Sequence, residues 1–524
     1  MVFLKKKFKP ICKLITGILL TVLNSCVATA QLTPVTLQQF LQNTSLQNEL
    51  TRYEQVKEFY RAFHYRVAWI NNNQNFLQLN RLLLQSTAPG LNEAAYRPGL
   101  LYSDATKAVP LATQNDSLLA ELRITDAAIH FFHDAVYGNS VPAVRYNGLA
   151  YEPGCINIPV ILAEALLKNN LHTLLKDITF NNPAITALQK MLVQYRQQVN
   201  ANGFSETPVS SGTLSWQNRP LATRLFQLGF IDTLREEGNE KELKILIIQV
   251  QRLFALEEDS ICGSKTRRAM NISLKQRIEE LQTALNTYRW LGCTGQMPKL
   301  IVVNIPAARL QVYSSGQIVL QSKVVVGKRS TPTPAAITSA VTEVVAYPYW
   351  MVPKRIATRE LLPLIKKNIG YLAENNLQVL NLQAKVVDPA KVNWHSLSSS
   401  HFPYVLRQST GCDNSLGLVK LNFYNPFNVY LHDTPMKELF NENNRYFSHG
   451  CIRVEKAMDL ARFVLAENRI AVDTLDEKGC LRNQKPIPVQ VTEKVPVFIL
   501  YSTAWPDAAG NIRFYEDVYR KVKG

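Results

Sequence analysis

Three things are scarce in this chain, and each scarcity excludes something. Cysteine is thinly scattered: Cys12, Cys26, Cys155, Cys262, Cys293, Cys412, Cys451 and Cys480 lie far apart in 524 residues, with no CxxC pair. That spacing excludes a zinc ribbon and a thioredoxin-type redox motif. Acid is in short supply, with 41 Asp and Glu against 58 Lys and Arg, for a formal charge of +17. So basic a surface attracts polyanions, whether nucleic acid, anionic lipid or an acidic cell-wall polymer. The basic residues are spread along the chain, apart from the first ten positions, and no finger, homeodomain or RNP-type pattern accompanies them, which sets nucleic acid aside. Long apolar runs are missing too: the N-terminal run Leu14–Leu23 is too short to span a bilayer comfortably.

The N-terminus itself is informative. Lys5, Lys6, Lys7 and Lys9 precede that run, so residues 1–30 read as a signal peptide and the protein is expected to be exported to the periplasm. Two endings compete. Ala28-Thr29-Ala30 is an A-x-A site, whereas Leu23-Asn24-Ser25-Cys26 is similar to a lipobox and would make Cys26 a lipidated first residue, the one route to a membrane. Cleavage after Ala30 leaves six cysteines. If one is a working thiol, at least one more is unpaired, so a disulfide framework does not define the fold.

Periodicity divides the rest into an α+β multidomain chain. Residues 31–200 carry apolar positions at helical spacing, as in Leu118, Leu122, Ile129, Phe132 and Val136, and predict a helical scaffold domain. The polar stretch 201–219 suggests a linker. A small helical module follows at 215–290, with Leu243, Leu246, Ile247, Val250 and Leu253 on one face and Leu274, Ile278, Leu281 and Leu285 on another. From residue 298 to 524 the period changes to two, predicting a β-rich domain in which Ser314-Ser315-Gly316 is a hairpin turn. A mostly helical insertion, roughly 349–406, interrupts it and is positioned to act as a lid.

The chemistry concentrates in Tyr430-Leu431-His432-Asp433-Thr434 and Ser448-His449-Gly450-Cys451-Ile452-Arg453. Alternation over 428–431 places His432 at a strand end. Helical spacing from Ala457 to Leu465 puts Cys451 in the turn entering a helix, where the macrodipole favours a thiolate and free N–H groups can face an oxyanion. A strand-borne imidazole and a loop thiol are what a cysteine acyl-transfer enzyme requires. A metal site from His432, His449 and Cys451, with Asp433 or Cys412 as fourth ligand, is the competing use of the same residues. His130 and His133 with Asp134 form a second group at helical spacing and read as structural.

The line His432 … Ser448-His449-Gly450-Cys451 resembles the signature of the YkuD-type L,D-transpeptidase catalytic domain. Val302–Pro306, Val325–Lys328, Trp350–Pro353, Leu406–Gln408 and Ile499–Trp505 are similar to the large Gram-negative, YcbB-like branch of that family. Thr410 stands where proline is usual, Cys412 is an added thiol, and Arg453 replaces the asparagine of smaller members. Residues 250–271 are similar, loosely, to a peptidoglycan-binding module. The resemblance implies a peptidoglycan L,D-transpeptidase with no cofactor and no metal, whose partners are a donor tetrapeptide stem and an acceptor amine, and which forms 3→3 cross-links. It implies Cys451 as nucleophile, His432 as general base and acid, His449 in a supporting electrostatic role, Gly450 and Ser448 shaping the site with an oxyanion hole at the N–H groups of Gly450 and Cys451, and Arg453 and Arg407 holding an anionic stem. Water as acceptor would make an L,D-carboxypeptidase or endopeptidase. An idle site would make a wall-binding scaffold.

Overall fold

The computed structural model describes residues 32–522, except 71, 86–89, 92, 97–112, 140–154, 180–181, 213, 236, 295–296, 412, 475–483 and 508. The expected signal peptide, both cleavage sites, Cys412 and Cys480 lie outside the described residues.

The N-terminal region is helical, as its spacing predicts. α1 (Pro34–Phe40), α2 (Tyr53–Ala62), α3 (Asn73–Leu84), α4 (Gln114–Tyr137), α5 (Ile158–Leu167) and α6 (Leu171–Ile178) bury one continuous apolar core. α4 starts on a capping box: Thr113 and Asp116 exchange side-chain and backbone bonds, satisfying N–H groups that the first turn would leave unpaired. His130 and His133 both approach Asp134, which Tyr96 and Arg52 also reach, so the pair belongs to a polar cluster inside the scaffold.

α7 (Pro183–Asn200), the last helix of the expected 31–200 segment, packs outside the first core. Its Leu188, Leu192 and Tyr195 pack with α8 (Arg219–Gln227), α9 (Glu240–Leu253), α10 (Ser264–Met270) and α11 (Leu274–Thr294) in a second core. The apolar division therefore falls near residue 180, because α7 has a better partner in α11 than in the scaffold. Nor is 201–219 a free tether. Val209 is buried and exchanges both backbone bonds with the Asn271 side chain, while Glu206 receives Arg224 and the Leu274 N–H. A disulfide joins Cys155 to Cys293 across 138 residues, tying the chain ahead of α5 to the end of α11.

The C-terminal region contains β1 (Leu300–Asn304), β2 (Arg309–Ser314), β3 (Gln317–Gly327), β4 (Ile337–Ala346), β9 (Val419–Phe423), β10 (Leu431–His432), β11 (Tyr446–Ser448), β12 (Ile452–Val454) and β13 (Ile487–Leu500). They form one sheet in the order β11-β3-β12-β10-β9-β4-β13-β1-β2, and β2 also pairs with β3, so the sheet curls back on itself. Valine, isoleucine and leucine from most of these strands fill its interior together with α12 (Ala457–Leu465). The remaining pair, β14 (Ala504–Pro506) and β15 (Ile512–Phe514), returns the chain to the helical module, where Trp505 and Phe514 enter the second core.

The insertion is less helical than its sequence suggests. Helical turns across 354–367 are followed by a four-stranded sheet, β5-β8-β6-β7, made of β5 (Trp350–Met351), β6 (Leu377–Leu380), β7 (Val386–Val387) and β8 (Val405–Gln408). It has its own core around Leu362, Ile365, Val379, Trp394 and Leu406. The strands are too short for a period-two pattern to stand out from the surrounding turns.

Candidate active site

Parallel pairing of β10 with β12 sets Leu431 against Ile452 and His432 against Arg453. On the other side, antiparallel pairing sets His432 against Lys420 of β9. Alternation along a strand puts Tyr430 on the same face as His432, and their rings meet edge-on at 5.6 Å. The Ile452 N–H donates to the Tyr430 carbonyl at 3.1 Å, which brings Cys451 alongside Tyr430. The backbone N–H and the hydroxyl of Tyr430 both approach the Cys451 sulfur and favour its thiolate form, and the thiol donates to the Asn428 carbonyl at 3.7 Å. Lys420 and Arg453 each act electrostatically on both Cys451 and His432. The sulfur and the imidazole therefore share one face, although no direct hydrogen bond joins them.

His432 is buried, and its Nδ1 lies 2.5 Å from the Asp433 carbonyl oxygen. A carbonyl only accepts, so Nδ1 carries the proton and Nε2 is left as the basic nitrogen. Burial, then the nearby charge of Arg453, hold the ring's value down at about 3. Burial pushes the Cys451 thiol up, against the opposing pull of Tyr430, Lys420 and Arg453. At neutral pH the pair rests as neutral thiol and neutral imidazole, not as the thiolate expected from a helix dipole. The structural reason is plain. Strand β12 follows Cys451 directly, and α12 begins only at Ala457, so the sulfur is not at a helix mouth.

The loop before the thiol is tightly held. Lys328 N–H and the Thr331 hydroxyl donate to the Ser448 carbonyl, and Thr333 Oγ1 donates to the Gly450 carbonyl at 2.7 Å. Gly450 adopts φ +119°, a conformation that L side chains rarely enter, while Cβ space there is open; backbone geometry, not crowding, calls for glycine. Its N–H is taken by Ser448 Oγ at 3.1 Å, and the same hydroxyl donates to the Cys451 carbonyl at 2.5 Å. Ser448 thus braces the loop from within. The Gly450 N–H is not a free oxyanion donor, and the Cys451 amide remains the candidate.

Two further expectations change. His449 does not turn toward the sulfur. Its Nε2 lies 2.8 Å from Glu360 of the insertion and 3.5 Å from Lys328 Nζ. Arg407 is held inside the insertion sheet by Gln378 Oε1 and stacks over Tyr349 at 4.3 Å, so nothing brings it to the thiol. Arg453 does stand at the site, near Cys451 and Glu438. The metal alternative loses its geometry: His449 is directed to Glu360, and the Asp433 carboxylate is engaged by the Leu418 N–H and by Lys437.

Tyr430 and Lys420 were not singled out by sequence. Tyr430 adjoins the motif in plain view, but its place on the sulfur follows from strand register. Lys420 Nζ sits 4.1 Å from the Tyr430 ring centroid. A third, Trp350, hydrogen-bonds the Tyr430 hydroxyl from the base of the insertion.

A thiol flanked by a tautomerically fixed imidazole, a phenol and two cations is an arrangement that can support nucleophilic acyl transfer. Comparison with known proteins narrows it: residues 298–495 match the model of the YkuD L,D-transpeptidase catalytic domain, and residues 54–192 match that of a scaffold domain. The C-terminal domain is thus similar to YkuD L,D-transpeptidase catalytic domains over residues 298–495. A Haemophilus influenzae protein provisionally named an L,D-transpeptidase is 41% identical over 220 residues, 42% of this chain and 44% of that protein. The chain therefore matches less than half the length of that relative. The solved L,D-transpeptidase from Mycobacterium smegmatis matches at 15% identity over 38% of this chain and 58% of its own, with a TM-score of 0.19.

Proposed function

We propose that the protein is an exported peptidoglycan L,D-transpeptidase that forms 3→3 cross-links through an acyl-enzyme on Cys451. The carrying observation is the shared face of Cys451, Tyr430 and His432. His432 Nε2 takes the thiol proton as sulfur bonds to the carbonyl after the third stem residue. The C–N bond to the terminal D-alanine breaks, and its nitrogen leaves with that proton. The side-chain amine of a second stem then attacks the thioester, giving its proton through His432 back to the sulfur, and the thiol is restored. Arg453 supports binding of an anionic stem at the same face.

Export is supported by the basic, apolar leader and by the Cys155–Cys293 disulfide, which suits an oxidising compartment. Two assays test the reading. A carbapenem should add its mass to the protein and not to Cys451→Ala. Incubation with purified sacculi should produce 3→3 muropeptide dimers. Shortened stems without dimers would identify water as the acceptor, and no adduct at all would leave a wall-binding scaffold.

A further inference from the structure

Away from the thiol, a cavity of about 480 Å³ opens between the helical module, the loop ahead of β11 and the segment after β15. At its wall lies Arg445, only 8% exposed. Its Nη1 donates to the Glu442 carbonyl at 2.8 Å, and Nη2 reaches the Ala307 and Ala308 carbonyls at 3.4 and 3.3 Å. Its Nε is buried without a partner, and among the described residues no carboxylate lies within ion-pairing distance of this guanidinium. Glu455 attracts this charge only from beyond ion-pairing distance, and a buried guanidinium held mainly by carbonyl dipoles is costly unless something else compensates it.

The neighbours make the imbalance worse. Arg309, also lining the cavity, presses on Arg445 as a like charge and bonds Tyr515 instead of an acid. Across the opening, Lys265 and Arg268 of α10 have no ion pair among the described residues. Most acids at the rim are already occupied: Glu258 by Arg252, Asp507 by Arg513, Asp517 by the Tyr501 hydroxyl.

We propose that this cleft is a second binding site, separate from the thiol, for a ligand bearing carboxylates, with Arg445 and Arg309 at its floor and Lys265 and Arg268 at its edge. The volume suits a short acidic peptide or a sugar–peptide unit. Guanidinium forks recognise planar oxyanions, and the residues come from both the helical module and the catalytic sheet. A ligand seated there would bridge the two. Identification of the carboxylate source as the stem peptides of the wall polymer rests on the proposed function.

The test uses the full chain and a soluble disaccharide-tetrapeptide muropeptide, titrated calorimetrically at low and at higher salt. The expected result is binding that weakens with salt, and a drop of about tenfold or more in Lys265→Glu with Arg268→Glu, and likewise in Arg309→Gln. Carbapenem acylation of Cys451, read by mass, should be unchanged in these variants. Muropeptide affinity equal to wild type in both variants would overturn the proposal. A variant-sensitive heat from inorganic phosphate alone, with none from the muropeptide, would overturn the carboxylate assignment. Loss of acylation in the wild-type chain, with variant-sensitive muropeptide binding retained, would remove the proposed function and leave this site standing.

Discussion

The curled sheet and the insertion meet at the thiol, and they are built on different terms. On the sheet, Lys420, Tyr430, His432 and Arg453 are fixed by ladder register, so the spacing of the reactive groups follows from backbone pairing. The insertion has its own core and its own sheet, and its described polar contacts at the thiol run through two side chains: Trp350 to Tyr430, and Glu360 to His449. The thiol, the phenol and the imidazole belong to the curled sheet, so their geometry is set apart from the separately packed insertion.

The strongest challenge to that division is made on the sheet. His432→Gln should cut the rate of Cys451 acylation by roughly 10²–10⁴-fold, the usual worth of a positioned base, measured by time-resolved mass spectrometry. The same residue has a stability signature. Burial holds the folded ring's value at about 3 against an ordinary 6.5, so as pH falls the unfolded chain takes up the proton first. Stability contributed by the neutral ring is complete above about 6.5 and is lost by about 1.4 kcal/mol per pH unit down to about 3. Denaturant titrations across that window should show His432→Gln with a shallower acid slope than wild type.

A second measurement asks whether the resting sulfur is a thiol. Burial pushes Cys451 upward, so alkylation by iodoacetamide should be slow at neutral pH. It should then rise about tenfold per pH unit through the alkaline range, following the thiolate fraction. A plateau between pH 5 and 8 would mean a preformed ion pair and would place the resting proton on His432.

How much of this was legible beforehand depended on whether one segment or several determined it. The His432 and Cys451 motifs, the strand end at His432 and the helical scaffold were readable because each is written in one contiguous stretch. The helix from Ala457 is legible, but the strand Ile452–Val454, at three residues, is too brief to show in the pattern that it separates Cys451 from that helix. His449 was given to the site on sequence proximity, yet alternation and the positive φ of Gly450 turn it to the insertion. Lys420 stands 31 residues before the thiol, and only sheet pairing shows their proximity. The Cys155–Cys293 bond, the α7 boundary and the pinned 201–219 segment are likewise tertiary facts, each made by residues distant in sequence.

Between the two regions sits Tyr430, bonded to the sulfur on one side and to Trp350 on the other. Tyr430→Phe keeps the ring against His432 and removes only the hydroxyl. One hydrogen bond of about 1 kcal/mol corresponds to roughly a fivefold slower acylation. Trp350→Phe, which strips the partner from the insertion side, should fall between that value and wild type. A larger loss in Trp350→Phe than in Tyr430→Phe would show that the insertion, not the sheet, sets the nucleophile's position.

The smallest effect belongs to the exposed contact. Glu360 and His449 are both solvent-accessible, and exposed pairs contribute little and are screened by salt. Glu360→Gln should therefore change acylation by a small carbapenem less than about threefold, while altering the apparent affinity for a bulky muropeptide donor more than for the small reagent. The asymmetry is the informative quantity. If the contact only ties two surfaces together, both reagents respond alike. If it sets how far the insertion opens, the larger substrate feels its loss first, and the difference between the two reagents shrinks in 0.5 M salt in the wild-type protein as well, since screening then does part of what the substitution does.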